Sequence, residues 1–112
     1  FGGGGFLDRR LLNSHAVDFL CQEAYTCVTW NNVPRDWERP DQWVRPALET
    51  LSKQRWSVLV VHDFVRSSMD HLSEFINRAK DHGNEFVLGF PDECVPIKRG
   101  RIMADLKDWM PQ

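Results

Sequence analysis

Nowhere in these 112 residues does an apolar run approach the roughly 20 residues that a membrane-spanning helix needs. No membrane partner is therefore expected. Charge of one sign is also lacking. A net charge of -2 gives no bulk attraction to nucleic acid or to an anionic surface. The short basic run Lys98, Arg99 and Arg101 reads as solvated surface. Cysteine is scarce and odd in number. Cys21, Cys27 and Cys94 form no C-x-x-C pair and fit no zinc pattern. They read as two buried small residues, Cys21 and Cys27, and one loop residue, in a chain that is at most lightly cross-linked. No basic end followed by an apolar run marks a signal peptide. The chain opens instead on Phe1 and the glycines Gly2–Gly5, so an N-terminal part is expected to be missing or processed away. Nothing here indicates a compartment.

What is present is enough for a core. The apolar fraction is 42%, and the length suits one domain, residues 1–112. Residues 8–23 read as a helix capped by Asp8, with Leu12, Ala16, Phe19 and Leu20 at three- and four-residue spacing. Tyr25–Trp30 is rich in β-branched and aromatic residues and reads as a strand. Asn31–Asp41 reads as a loop of 11 residues, and long loops carry function more often than short ones.

A second helix is expected over about residues 42–54, with Trp43, Ala47, Leu48 and Leu51 on one face. Its regular part should start nearer Pro46, a favoured first-turn residue. Trp56–Val61 is the next strand, apolar enough to be buried on both faces. Ser67 or Ser68 is placed to cap a third helix carrying Met69, Leu72, Phe75, Ile76 and Ala79, and Gly83 to end it. Glu85–Phe90 reads as a third strand, stopped by Pro91. The order αβαβαβ predicts an α/β fold of parallel βα units with three strands and flanking helices. Residues 92–112, with Met103, Leu106, Trp109 and Met110 on one side, are expected to be a packing tail over a sheet edge. Three strands leave open edges, so self-association as a homo-oligomer, or a companion segment, is expected.

In parallel α/β folds chemistry collects where strands end. Asp36 and Trp37 follow the first strand, and His62 and Asp63 follow the second. Adjacent parallel strands would set the two exits side by side. An Asp beside a His orients the imidazole and favours its protonated form, which suits a general acid. Asp36 and His62 are thus the candidate catalytic pair. Asp63 is the weaker partner, because consecutive strand residues point to opposite faces.

Trp30-Asn31-Asn32-Val33-Pro34-Arg35-Asp36-Trp37 followed by Val58-Leu59-Val60-Val61-His62-Asp63 resembles the C-terminal half of polysaccharide deacetylases of the NodB-homology type. The resemblance covers most of the chain up to about Phe90. It implies half of a deformed (β/α) barrel and hydrolysis of N-acetyl groups on sugars such as those of chitin or peptidoglycan. It further implies that His62 protonates the departing amine, that Asp36 tunes it, and that Trp37 and Val60 wall the pocket for the acetyl methyl group. Phe1–Phe6 is similar to the family's third motif, with Gly2 where an arginine is expected. The family uses zinc or a similar divalent metal. Its paired-aspartate motif and its metal-binding His-x-x-x-His motif are absent from these residues, so no metal site is expected here. His15 has Phe19 four residues on, and His71 and His82 read as solvent-facing. Without an activated water, this chain alone is expected to be incomplete or inactive as a deacetylase. The alternative is a non-catalytic carbohydrate-binding or self-associating module. There Trp30, Trp37 and Trp43 would offer stacking faces, although Trp30 and Trp43 also suit a core.

Overall fold

The computed structural model describes residues 11–64 and 66–110, without the side chains of residues 66 and 108. Asp8 and the Phe1–Phe6 run lie outside the described residues. The chain packs as two compact units. One takes Phe1–Trp30 and Phe90–Gln112, and the other takes Asn31–Gly89.

In the first unit, helix α1 spans Ser14–Gln22. Its N-cap is Asn13, whose Oδ1 accepts the Ala16 N–H at 2.8 Å and so satisfies one of the free donors of the first turn. The helix turns Val17, Leu20 and Cys21 to the core and leaves Phe19 exposed, stacked on Tyr25. Strands β1, Ile97–Lys98, and β2, Arg101–Ile102, form an antiparallel hairpin. Arg99 and Gly100 make its two-residue turn, both at positive φ (49° and 79°), which matches the twist of the flanking strands. Gly100 packs so close to α1 that a Cβ there would lie 2.5 Å from the Cys21 carbonyl oxygen. Leu12, Val17, Cys27, Ile97 and Leu106 form the core, with Trp109 and Met110 packed on it. All three cysteines are free thiols of this unit. Cys27 and Cys94 are buried and Cys21 is half-buried. Burial raises the thiol pKa of Cys27 and of Cys94, and Glu93 adds to the effect at Cys94.

In the second unit, α2 spans Val44–Lys53, α3 spans Arg66–Met69 and α4 spans Leu72–Asp81. Trp43, Val44 and Ala47 meet Phe75 and Ala79 in a core that Leu48, Leu51, Leu59, Val61, Leu72 and Ile76 complete. Pro46 falls in the first turn of α2, where its missing N–H costs nothing. Gly83, at φ 85°, follows the end of α4. Among the described residues no helix is long and apolar enough to cross a membrane.

The expected α/β fold of three parallel strands, half of a barrel, is not what forms. The sheet among the described residues has two antiparallel strands, and both come from the segment expected to be a tail. Each expected strand fails for its own reason. Tyr25–Trp30 makes one antiparallel bridge, Cys27 to Ile97, with a Cys27 N–H to Ile97 carbonyl bond of 2.8 Å. Trp56–Val61 makes one parallel bridge, Asn32 to Leu59, and goes no further. There the Asn31 side chain takes the place of a ladder partner, its Oδ1 accepting the Val58 N–H at 2.6 Å. Glu85–Phe90 forms neither strand nor bridge among the described residues and bends at Leu88, with Phe86, Val87 and Leu88 all exposed. A β-rich run becomes a strand only when another extended backbone lines up beside it. The tail is not a cover over a sheet edge either. Cys94, Ile97 and Leu106 lie in the interior of the first unit, and Met103 is exposed.

Candidate functional site

The second unit gathers the residues singled out for chemistry. The parallel bridge between Asn32 and Leu59 fixes two chain exits next to each other. Asn31 and Asn32 donate their N–H groups to the Val58 carbonyl at 3.1 Å, and Val60 donates to the Asn32 carbonyl at 3.1 Å. Three residues past Asn32 the chain turns at Arg35, which adopts a left-handed φ of 56°. That conformation is unfavourable for a residue with a Cβ and needs outside support. The Arg35 guanidinium donates through Nε at 2.7 Å and through Nη2 to the two Glu38 carboxylate oxygens and lies 5.3 Å from the centre of the Trp37 ring. The turn directs Asp36 inward, where it is fully buried.

A buried carboxylate demands hydrogen bonds, and Asp36 accepts three. Its Oδ1 faces Nδ1 of His62 at 2.9 Å. Its Oδ2 accepts the His62 backbone N–H at 2.8 Å and the Ser68 hydroxyl at 2.7 Å. Burial by itself would push this carboxyl upward. The bonds from the His62 ring, the His62 backbone and Ser68, together with the attraction of an imidazolium, outweigh it and hold Asp36 below the usual carboxylate range. Asp36 is therefore ionised at neutral pH and only accepts. Nδ1 of His62 must then carry a proton, and Nε2 is the end left for chemistry.

The His62 side chain is 29% exposed, open enough to meet a ligand. Trp37 packs edge-on against its ring at 5.2 Å, and the Phe64 ring does so at 5.3 Å. Phe64 is itself 74% exposed. Asp36, Trp37 and His62 are thus brought together. Val60 stands two residues before His62, half-buried, and Asp63 is exposed. Trp30 and Trp43 are buried and offer no stacking face, whereas Trp37 is half-buried.

Two members of this site escaped the sequence reading. Ser68 was taken for a helix cap. It is instead fully buried within α3, and its carbonyl accepts the Trp43 indole N–H at 2.8 Å. Phe64 sits in the turn after His62, where no periodicity marks it.

Among the described residues, no group of three or more His, Cys, Asp or Glu side chains is arranged to hold a metal ion. His71 lies near Asp41 and Glu74, at 3.9 and 3.7 Å, and His82 is exposed on its own helix end. A pocket of about 570 Å³ opens elsewhere on this unit, lined by Arg39, Asp41, Arg45, Glu49, Glu74 and Arg78 among others. Its charges largely pair with one another, Arg45 with Glu49 and Arg78 with Glu74, and its lining includes neither Asp36 nor His62. This pocket is therefore separate from the Asp36–His62 dyad. Comparison with protein-family models, with curated proteins and with solved structures found no match to this chain.

Proposed function

We propose that this chain carries the proton-donating arm of a site that hydrolyses N-acetyl groups on sugars such as those of chitin or peptidoglycan. One observation carries the reading: the buried Asp36 carboxylate fixes Nδ1 of His62, and the ring is left partly exposed beside Trp37 and Phe64. An amine leaves a collapsing tetrahedral intermediate only after its nitrogen is protonated, and an oriented imidazolium is suited to deliver that proton through Nε2. Two aromatic rings beside the imidazole suit an acetyl methyl group or the apolar face of a sugar ring. Among the described residues no metal-binding group of side chains forms, and the proposal concerns the proton-donating arm alone.

A second reading, sugar binding without turnover, draws support from Phe64, an exposed aromatic ring beside the dyad. One experiment covers both. Oligomers of N-acetylglucosamine are titrated into the chain while Trp37 fluorescence, His62 ring resonances and acetate release are followed, with Trp37→Phe identifying the responding indole. Saturable binding with acetate release that His62→Ala abolishes supports the deacetylase arm. Saturable binding with no acetate release supports the second reading. Unperturbed Trp37 and His62 at millimolar oligomer removes both.

A further inference from the structure

We infer that Ser68 is a positioning residue for His62, acting through Asp36 by fixing the plane of its carboxylate. The inference rests on the proton-donor reading of His62 and extends it to a residue that does not touch the ring.

The two oxygens of the Asp36 carboxylate have different partners. Oδ2 takes two donors, the His62 backbone N–H and the Ser68 hydroxyl, and Oδ1 is left to the His62 ring. Without Ser68 the carboxylate is held by His62 alone, its backbone N–H on Oδ2 and its ring on Oδ1, and keeps the freedom to tilt together with that ring. A second donor on the same oxygen, from a different segment of chain, removes that freedom. Oδ1 then stays aimed at Nδ1, and the tautomer that leaves Nε2 for substrate is enforced.

The anchor is itself held. A serine hydroxyl can keep its aim only where its backbone is held in place, and the Ser68 backbone carbonyl accepts the indole N–H of fully buried Trp43 at 2.8 Å. Trp43 belongs to the core with Phe75 and Ala79. Hydrogen bonds thus run from the core through Trp43, Ser68 and Asp36 to His62. Among the described side chains, the titratable or charged groups on the segments that meet at Asp36 are Arg35, Glu38 and Arg39 in its own turn, His62 and Asp63 on the facing exit, and Asp70 and His71 beyond Ser68. Arg35 pairs with Glu38, and Asp63 and Asp70 are exposed. Of these groups, the His62 ring makes the side-chain bond to Asp36.

The test uses nuclear magnetic resonance of the whole chain, with nitrogen shifts reporting the His62 tautomer and the carboxyl carbon reporting Asp36. In Ser68→Ala the Asp36 titration midpoint should move upward and the Nδ1–H form of His62 should lose its dominance, with the helical circular dichroism kept. Ser68→Thr, which retains the hydroxyl, should restore both readouts, and Ser68→Cys, a poor donor, should not. If Ser68→Ala fails to fold, the unaltered chain decides: a Ser68 hydroxyl proton that exchanges slowly with solvent is expected. A folded Ser68→Ala with the parental tautomer and Asp36 midpoint, or a hydroxyl proton in fast exchange, overturns the inference. Neither readout uses a sugar, so failure of oligomer binding withdraws the deacetylase reading and leaves the effect of Ser68 on the tautomer to be judged by itself.

Discussion

Asp36 grips His62 at two places at once, the ring through Oδ1 at 2.9 Å and the backbone N–H through Oδ2 at 2.8 Å. A ring bond alone would leave the histidine backbone free to shift, and a backbone bond alone would leave the ring free to flip. Together they fix both where the ring sits and which nitrogen it presents.

Changing Asp36 to Asn tests that double grip. The amide matches the carboxylate in shape, but one acceptor oxygen becomes an NH₂ donor and opposes a donor of His62 or Ser68. The expected cost is about 1–3 kcal/mol, the penalty for a buried group left unsatisfied. Urea unfolding measures it. The His62 nitrogen spectrum should lose its preference for Nδ1–H in the same variant, and a parental spectrum would show that the carboxylate does not set the tautomer.

The acid limit of stability follows from Asp36 as well. Its carboxyl is held lower in the folded chain than in the unfolded one, so at acid pH the unfolded state binds more protons. The resulting stabilisation is complete above the ordinary Asp value of about 3.9, and it disappears as pH falls through the lower folded value. Urea midpoints taken from neutral pH downward should fall more steeply below about pH 4 for the parent than for Asp36→Asn. Parallel curves would contradict this account.

Gly100 and Gly83 make a controlled pair. Both have positive φ, 79° and 85°, but a Cβ at Gly83 meets nothing within 4 Å, whereas at Gly100 it would lie 2.5 Å from a backbone oxygen. Gly83→Ala should cost about 1 kcal/mol from the left-handed conformation alone. Gly100→Ala must also part the hairpin from α1 and should cost at least twice as much, about 2–4 kcal/mol. Thermal melts of the two variants compare them directly, and equal shifts would mean that the close approach is relieved cheaply.

Phe64 separates binding from folding. Its side chain is mostly exposed, so Phe64→Ala should change stability by no more than about 0.5 kcal/mol. It should nevertheless shift the His62 ring resonances and weaken any oligomer affinity, because the ring forms one wall beside His62. Unaltered affinity would remove Phe64 from the ligand surface.

The helices were legible in the sequence in a way the strands were not. An amphipathic helix makes its own hydrogen bonds, so the spacing of Trp43, Ala47, Leu48 and Leu51 was enough to place α2 and its buried face. A strand borrows its bonds from a neighbour, and nothing local in Glu85–Phe90 says whether a neighbour exists. The sequence points to Asp8 as the cap of the first helix, and Asn13, which no spacing singles out, bonds the first turn of α1. At the site, the nearness of Asp36 and His62 was readable because both follow apolar runs, and one parallel bridge is enough to align those exits. Ser68 was not, since a serine near a helix start has an ordinary local explanation that hides its bond to a residue 32 positions earlier.

The placing of the thiols gives this molecule a built-in chemical clock. Cys21, Cys27 and Cys94 all belong to the first unit, and residues 31–89 hold no cysteine. Buried thiols react only when their surroundings open. The rate at which a thiol reagent modifies Cys27 and Cys94 in native buffer therefore times the opening of that unit alone. Trp43 fluorescence, read on the same sample, times the other. The two rates together would establish whether the halves of this chain open as one body or each on its own schedule.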